Sequence, residues 1–256
     1  MYFKVLACDV LTREVCWCAA RSPHTLDLEF TPKGEHNVPS RLQQRLQERI
    51  DSPAPEGMSY DAILLAYGLC GNAVRGLKAP ESCPLVIPRA HDCTTLFLGS
   101  RAAYEEHFGA NPSQMWTSIG YSERGDSILS DSDMRLFFPE GQSVAELIEQ
   151  YGEENAQYLL DTLMRIPEYA DIPFLEIAET HVPEIAAKIR AHVEGLGKEL
   201  RPIQGNIRLI QGLFAGNWSE EEYLIVPPGS RIEGVYDNCE VIRAIREEKK
   251  EHPEKS

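Results

Sequence analysis

Apolar and polar positions along the chain fall into short blocks of two different periods. Residues 3–7 form an apolar run of strand length, and residues 25–30 alternate apolar with polar as a half-buried strand does. Between them, residues 9–20 read as a helix with Asp9 as its N-cap. Val38, Leu42, Leu46 and Ile50 recur every four residues, which is one face of a helix, and Arg, Gln and Glu occupy the remainder. Residues 62–67 are a near-continuous apolar run and 84–87 a shorter one. A further helix is expected over 92–107, stopped by Gly109 and Pro112. Strands alternating with helices at this spacing predict an α/β fold with a mostly parallel sheet and helices on both faces.

The second half repeats the pattern less cleanly. Strands are expected at 116–121, 172–178, 207–211 and 223–226, the last before Pro227-Pro228-Gly229, with helices over 143–164, interrupted near Gly152, and 181–200. The reading is a single α/β domain over residues 1–245. Two βα-rich halves, 1–121 and 172–245, flank a helical insert at 122–171, and 246–256 form a fraying tail. No repeat of fixed period is present.

Composition narrows the function classes. The formal net charge is −15, which excludes a general binder of nucleic-acid backbones, because such a protein needs a basic stripe. Between Glu123 and Glu179 stand fourteen Asp or Glu against three Arg and no Lys, a net −11 of that total. This segment is either a solvated helical cover or a docking face for a basic partner. No apolar run reaches the ~18 residues of a membrane span, and the N-terminus lacks the apolar core of a secretion signal. Seven cysteines, an odd number, argue against a disulfide framework, so the expectation is a cytoplasmic protein.

In a parallel sheet, sites form at the carboxyl ends of the strands. The first expected strand ends at Cys8-Asp9, the third runs into Gly68-Leu69-Cys70-Gly71-Asn72, and the fourth runs into Pro88-Arg89-Ala90-His91-Asp92-Cys93. Three cysteines and a histidine are thus delivered to one sheet edge. Thiolates and neutral imidazole are the ligands zinc prefers, so Cys8, Cys70, His91 and Cys93 are the candidate metal ligands, with Cys239 available if the C-terminal segment folds back. Each lies near an expected helix N-terminus, which should lower a thiol pKa. Against this stands the plainer reading of a strand-end cysteine as a small buried filler.

Gly68, Gly71 and Asn72 form a loop that could approach a cofactor closely, though without the ending of a phosphate-binding loop. Arg89 could bind a carboxylate or phosphate, or form a surface ion pair. Asp92 could cap its helix or orient His91. Residues 212–218, ending in Trp218, could line the same cleft from the second half. Cys16 and Cys18 lie about 200° apart around one helix and cannot readily share an ion, and Cys83 falls at the opposite sheet edge.

The runs YGLCGNAVRGL, PLVIPRAHDCTTLFLGS, LIQGLFAGNW and EEYLIVPPGSRI resemble the prokaryotic family known as domain of unknown function 1638, from Cys8 to about Glu233. That resemblance implies Cys70, His91 and Cys93 as motif positions, with Cys8 beside them, and an association with corrinoid-dependent methyl-transfer systems. A second resemblance is to zinc methyltransferases that activate a thiol acceptor, whose His-x-Cys and distant Cys are similar to His91-Asp92-Cys93 and Cys239. The implied activity is one-carbon or corrinoid-linked methyl transfer, by an enzyme or an accessory factor. The competing expectation is a non-catalytic module that binds a small molecule or cofactor and docks a partner through its acidic face.

Overall fold

A computed structural model of the chain describes residues 1–70, 72–112, 114–124, 148–149, 152–153, 155–156, 170–235 and 240–246. Most of the helical segment expected over 143–164, most of the tail, Gly71 and Cys239 lie outside the described residues.

The first half follows the predicted alternation. Strand β1 (Tyr2–Cys8) passes through a 3-10 turn (Asp9–Leu11) into α1 (Thr12–Ala19), then β2 (Thr25–Thr31), α2 (Pro39–Asp51), β3 (Ala62–Ala66) and β4 (Leu85–Pro88). β3 is apolar along its whole length and β1 nearly so, with Lys4 its one charged residue, because both faces are covered, and Phe3, Val5, Leu6, Leu64 and Leu65 are fully buried. α2 turns Leu42, Leu46 and Ile50 into the core and keeps its Arg and Gln outside. The sheet order is β2-β1-β3-β4-β8, with β1 parallel to β2 and β3, β3 parallel to β4, and β8 (Tyr223–Val226) antiparallel on β4. From β1 the chain steps outward to β2, then back past β1 to β3. Right-handed crossovers in opposite directions place α1 and α2 on opposite faces.

Two details of this half depart from expectation. Asp9 is not a helix N-cap: α1 begins at Thr12, and the Asp9 carboxylate instead accepts from the Lys33 amide at 2.8 Å. The helix expected over 92–107 is two, α3 (Cys93–Leu98) and α4 (Arg101–Phe108). They break at Gly99, which has φ 78° and sits so close to Asn206 that a Cβ would lie 2.6 Å from its carbonyl oxygen.

The second half forms a separate three-stranded parallel sheet, β5-β6-β7, from β5 (Thr117–Ser118), β6 (Asp171–Glu176) and β7 (Glu199–Gln204). The strand expected at 116–121 is only the two residues of β5 before α5 (Ile119–Arg124) takes over. The helix expected over 181–200 is α6 (Pro183–Gly195), which ends where Gly195-Leu196-Gly197 turns the chain into β7. The strand expected at 207–211 is instead helical, as part of α7 (Arg208–Ala215). Its buried residues Leu209, Ile210, Leu213 and Phe214 lie on one helical face, and α7 packs beside α1 over β3 and β4. Residues 212–218 therefore line no strand-end cleft: the Trp218 indole donates to the Leu213 carbonyl at 2.9 Å and packs on Phe3. A hairpin of β9 (Ser230–Gly234) and β10 (Ile242–Arg246) completes the described chain. No described helix is long and apolar enough to cross a membrane.

Candidate functional site

The strand order fixes where a ligand would be met. β1 leads outward to one side and β3 to the other, so the loops beyond their carboxyl ends diverge and leave a crevice between them, the switch point of an open α/β sheet. Cys8 is the last residue of β1, level with Thr31 of β2. β3 runs out through Tyr67-Gly68-Leu69 to Cys70, and β4 through Arg89-Ala90-His91-Asp92 to Cys93, the first residue of α3.

These last two loops are joined by main-chain hydrogen bonds, Leu69 N–H to Ala90 O at 2.8 Å and Cys70 N–H to His91 O at 3.0 Å. Gly68 makes the approach feasible, since a Cβ there would lie 2.6 Å from both Cα and N of Asp92. Beyond it the chain is left-handed at two non-glycine residues, Cys70 with φ 46° and Asn72 with φ 72°. Asn tolerates this region, but for Cys it costs about 1–2 kcal/mol. Such strain gathers at functional loops.

The loop geometry brings three thiols together. Cys8 and Cys70 both act electrostatically on their neighbours: Cys70 feels Cys8, and Cys93 feels both Cys70 and Cys8. Main-chain N–H groups act against burial at each thiol, those of Val10 and Asp9 lowering the pKa of Cys8, those of Gly68 and Cys93 that of Cys70, and its own amide that of Cys93. The sequence argument expected lowered thiol pKa values at these positions. The opposite holds, because burial outweighs those amides and pushes Cys8 up to about 12 and Cys70 and Cys93 well above the usual thiol range. The three are neutral thiols at neutral pH.

The imidazole beside them is one that sequence reasoning missed. His36 Nε2 lies 3.2 Å from the Cys8 sulfur, and its ring stacks on Tyr67 with centroids 6.1 Å apart at 25°. The buried Tyr67 hydroxyl is hydrogen-bonded to Thr31. Burial drives the His36 pKa down to about 4, so the ring is neutral. The sequence carries a signal for it: His36 lies five residues past the end of β2, in the 3-10 turn Lys33–Asn37, at the same carboxyl edge as Cys8.

His91 faces elsewhere. Its ring lies against Tyr104 with centroids 6.0 Å apart, on the wall of an open cleft of about 1030 Å³ shared with Arg101, Glu105 and Glu220. Arg89 gives its donors to main-chain carbonyls, Nε to Glu220 at 2.8 Å and Nη1 to Glu240 at 2.8 Å and to Ile242, so it clamps the C-terminal hairpin onto the end of β4. Asp92 is a helix cap: its Oδ1 accepts from the Thr95 amide at 3.3 Å, and burial raises its pKa. Cys83 is buried at the opposite edge, Cys18 is buried in α1, and Cys16 is exposed on it. Among the described residues, no three His, Cys, Asp or Glu side chains are grouped so as to hold a metal ion as they stand.

A model of the family described as "Protein of unknown function (DUF1638)" matches residues 30–214. The chain belongs to this family. The DUF1638 match takes in His36, Cys70, His91 and Cys93, while Cys8 and the β8–β10 segment fall outside it. No curated protein and no solved structure matches the chain.

Proposed function

We propose that this DUF1638 protein binds a soft divalent metal ion, zinc first, at its strand-end thiols, and works in the cytoplasm as an enzyme or accessory factor of one-carbon or corrinoid-linked methyl transfer. The observation that carries the metal half is that the β1 end and the loops after β3 and β4 bring Cys8, Cys70 and Cys93 to the β1/β3 switch point, where main-chain N–H groups pull each thiol pKa down against burial. Such amides stabilise thiolates once a cation displaces the protons, and burial that disfavours a lone thiolate favours a neutralised one. The donor chemistry is of the kind zinc prefers, and among the described residues no three such side chains are grouped to hold an ion as they stand. A bound zinc would supply Lewis acidity and hold an acceptor thiol as thiolate at neutral pH. The protein's own part is to bury the donors, orient them through the joined 68–70 and 90–93 loops, and exclude water.

The methyl-transfer half rests on the two resemblances noted in the sequence, and its natural partners are a small-molecule thiol and a corrinoid protein. Metal analysis of protein purified without added histidines tests the first half. About one equivalent of zinc is expected, lost in Cys70→Ser and Cys93→Ser, and a content well below one equivalent in wild-type protein overturns it. Demethylation of a methyl-corrinoid by an added thiol tests the second, with acceleration expected only from the zinc-loaded protein.

One observation favours a second reading. The cleft beside His91 and Tyr104 is large enough for a small molecule, and the thiols form no ready metal group. A metal-free protein that retains its fold in Cys93→Ser would point to a non-catalytic binding module.

A further inference from the structure

We propose that the open cleft walled by His91 and Tyr104 binds an aliphatic polyamine, a small molecule that carries two or more protonated nitrogens on an apolar chain. The proposal rests on the second reading above, in which this cleft takes a small molecule, and it needs no metal at the thiols. Three stretches distant in sequence meet there: the loop after β4 with His91, the first turns of α4 with Arg101, Tyr104 and Glu105, and the turn before β8 with Glu220 and Glu221. The volume of about 1030 Å³ is at the upper end for a small-molecule site. The His91 and Tyr104 rings stand 6.0 Å apart, and Tyr104 stacks in turn on Phe108 at 5.9 Å and 23°. One wall is therefore aromatic, a surface that takes methylene groups and attracts a cation to its face.

The charges lining the cleft choose the sign of its ligand. Five of the lining residues are Glu and two are Arg, and the protein itself engages both arginines. Arg89 Nε and Nη1 donate to the main-chain carbonyls of Glu220 and Glu240 at 2.8 Å, and Arg101 Nη2 donates to that of Glu221 at 3.0 Å. Arg208 of α7 meets the Glu222 carboxylate at 2.5 Å. The carboxylates of Glu105, Glu220 and Glu221 form no ion pair among the described residues, since Glu220 and Glu221 give the arginines only their main-chain carbonyls. No three of these carboxylates are grouped to hold a metal ion. A point charge cannot serve acceptors spread along a cleft, whereas a chain of spaced ammonium groups meets them one by one and lays its methylenes on the aromatic wall.

Calorimetric titration of spermidine into the full chain tests the assignment, at about 0.15 M salt so that long-range attraction to the acidic chain is screened. One saturable site is expected. Glu220→Gln and Glu221→Gln together should weaken it roughly 10-fold, and Tyr104→Leu by about 3–10-fold. Glu184→Gln and Glu194→Gln together, a change of equal charge on the exposed face of α6, should leave the affinity at the wild-type value. Both double variants alter only exposed side chains, so their comparison does not depend on how well Tyr104→Leu folds. Equal weakening by the two pairs would reduce the binding to general attraction and overturn the proposal. Absence of saturable spermidine binding overturns it outright. Succinate is the probe of opposite charge: saturable binding of succinate in place of spermidine, lost in Tyr104→Leu, overturns the polyamine while the cleft remains a small-molecule site.

Discussion

At the amino edge of the five-stranded sheet, Lys4 is 1% exposed and fully partnered: its ammonium donates to the Arg49 carbonyl and to Ser52 Oγ, both at 2.5 Å, and stands 3.2 Å from the Glu29 carboxylate. Beside it, Tyr2 and Tyr60 both donate to Asp27. At the carboxyl edge Cys8 is as deep, Cys70, Cys93 and His36 are half-buried, and the groups are arranged differently. Burial raises the thiol pKa values of Cys8, Cys70 and Cys93 and lowers that of the His36 imidazole, so the donors there are neutral, and the Lys33 charge acts on both Cys8 and His36. Burial is common to both edges, so burial does not distinguish structure from function here. The distinction lies in whether the buried groups already satisfy each other. The amino edge does; on the reading proposed above, the carboxyl edge keeps donors for a ligand.

The largest expected effect comes from prising the binding edge open. Gly68→Ala places a Cβ 2.6 Å from the Asp92 backbone, which cannot swing aside as a flexible side chain would. The 68–70 and 90–93 loops must part, at a cost of about 3 kcal/mol or more, and any zinc bound by the thiols should go with them. Urea denaturation of the variant measures the cost; wild-type stability would mean that the two loops are not held together as described. The next effect tests the structural edge. Lys4→Met removes the cation from two hydrogen-bonded acceptors while Arg49 remains 2.5 Å from Glu29, so about 2 kcal/mol of stability should be lost with no change in zinc content. A Lys4→Met protein that loses zinc would erase the contrast between the edges.

How far this contrast could be read in advance depended on the range of the interactions. β1, β3 and β4 were legible because strands covered on both faces have to be apolar throughout, and Cys8, Cys70 and Cys93 follow from where those strands end. Residues 207–211 were not, since Ile207-Arg208-Leu209-Ile210-Gln211, apolar at three positions, suits a strand or a helix equally, and only the packing of Leu213 and Phe214 against the sheet decides it. β7 was hidden by Arg201 and Pro202 on a half-exposed edge strand. Within the site, the His-x-Cys spacing drew attention to His91, yet a residue two positions before Cys93 faces the cleft across the capped turn of Asp92. His36 becomes a neighbour of Cys8 only because β2 lies parallel to β1 and ends level with it, a pairing across 28 residues that no local pattern contains.

A smaller effect sharpens the comparison at a single backbone angle. If Cys70 were merely a filler, Gly would serve better at φ 46°, and Cys70→Gly should then stabilise the metal-free protein by about 1 kcal/mol. The same change should abolish stoichiometric zinc. Gain of stability with loss of metal marks strain held for a purpose; zinc retained at full stoichiometry in Cys70→Gly would return Cys70 to the structural residues.

The smallest effect probes a buried group that belongs to neither pattern. Glu14, on α1, is 2% exposed; its Oε1 accepts from the Thr180 hydroxyl at 2.5 Å, and its Oε2 has no hydrogen-bond partner. Burial raises its pKa despite the Thr180 donor and the charge of Arg13. A carboxyl whose folded pKa lies above its unfolded value of about 4.5 contributes stability that is fully present below that value and is lost as pH rises through the folded one. Glu14→Gln has no such loss. The variant should therefore match the wild type in melting temperature near pH 4 and exceed it at pH 7, and the difference between the two proteins should grow with pH across that window. A difference that is flat in pH would show Glu14 ionised in the folded protein, partnered as fully as Lys4 and unlike the neutral donors of the carboxyl edge.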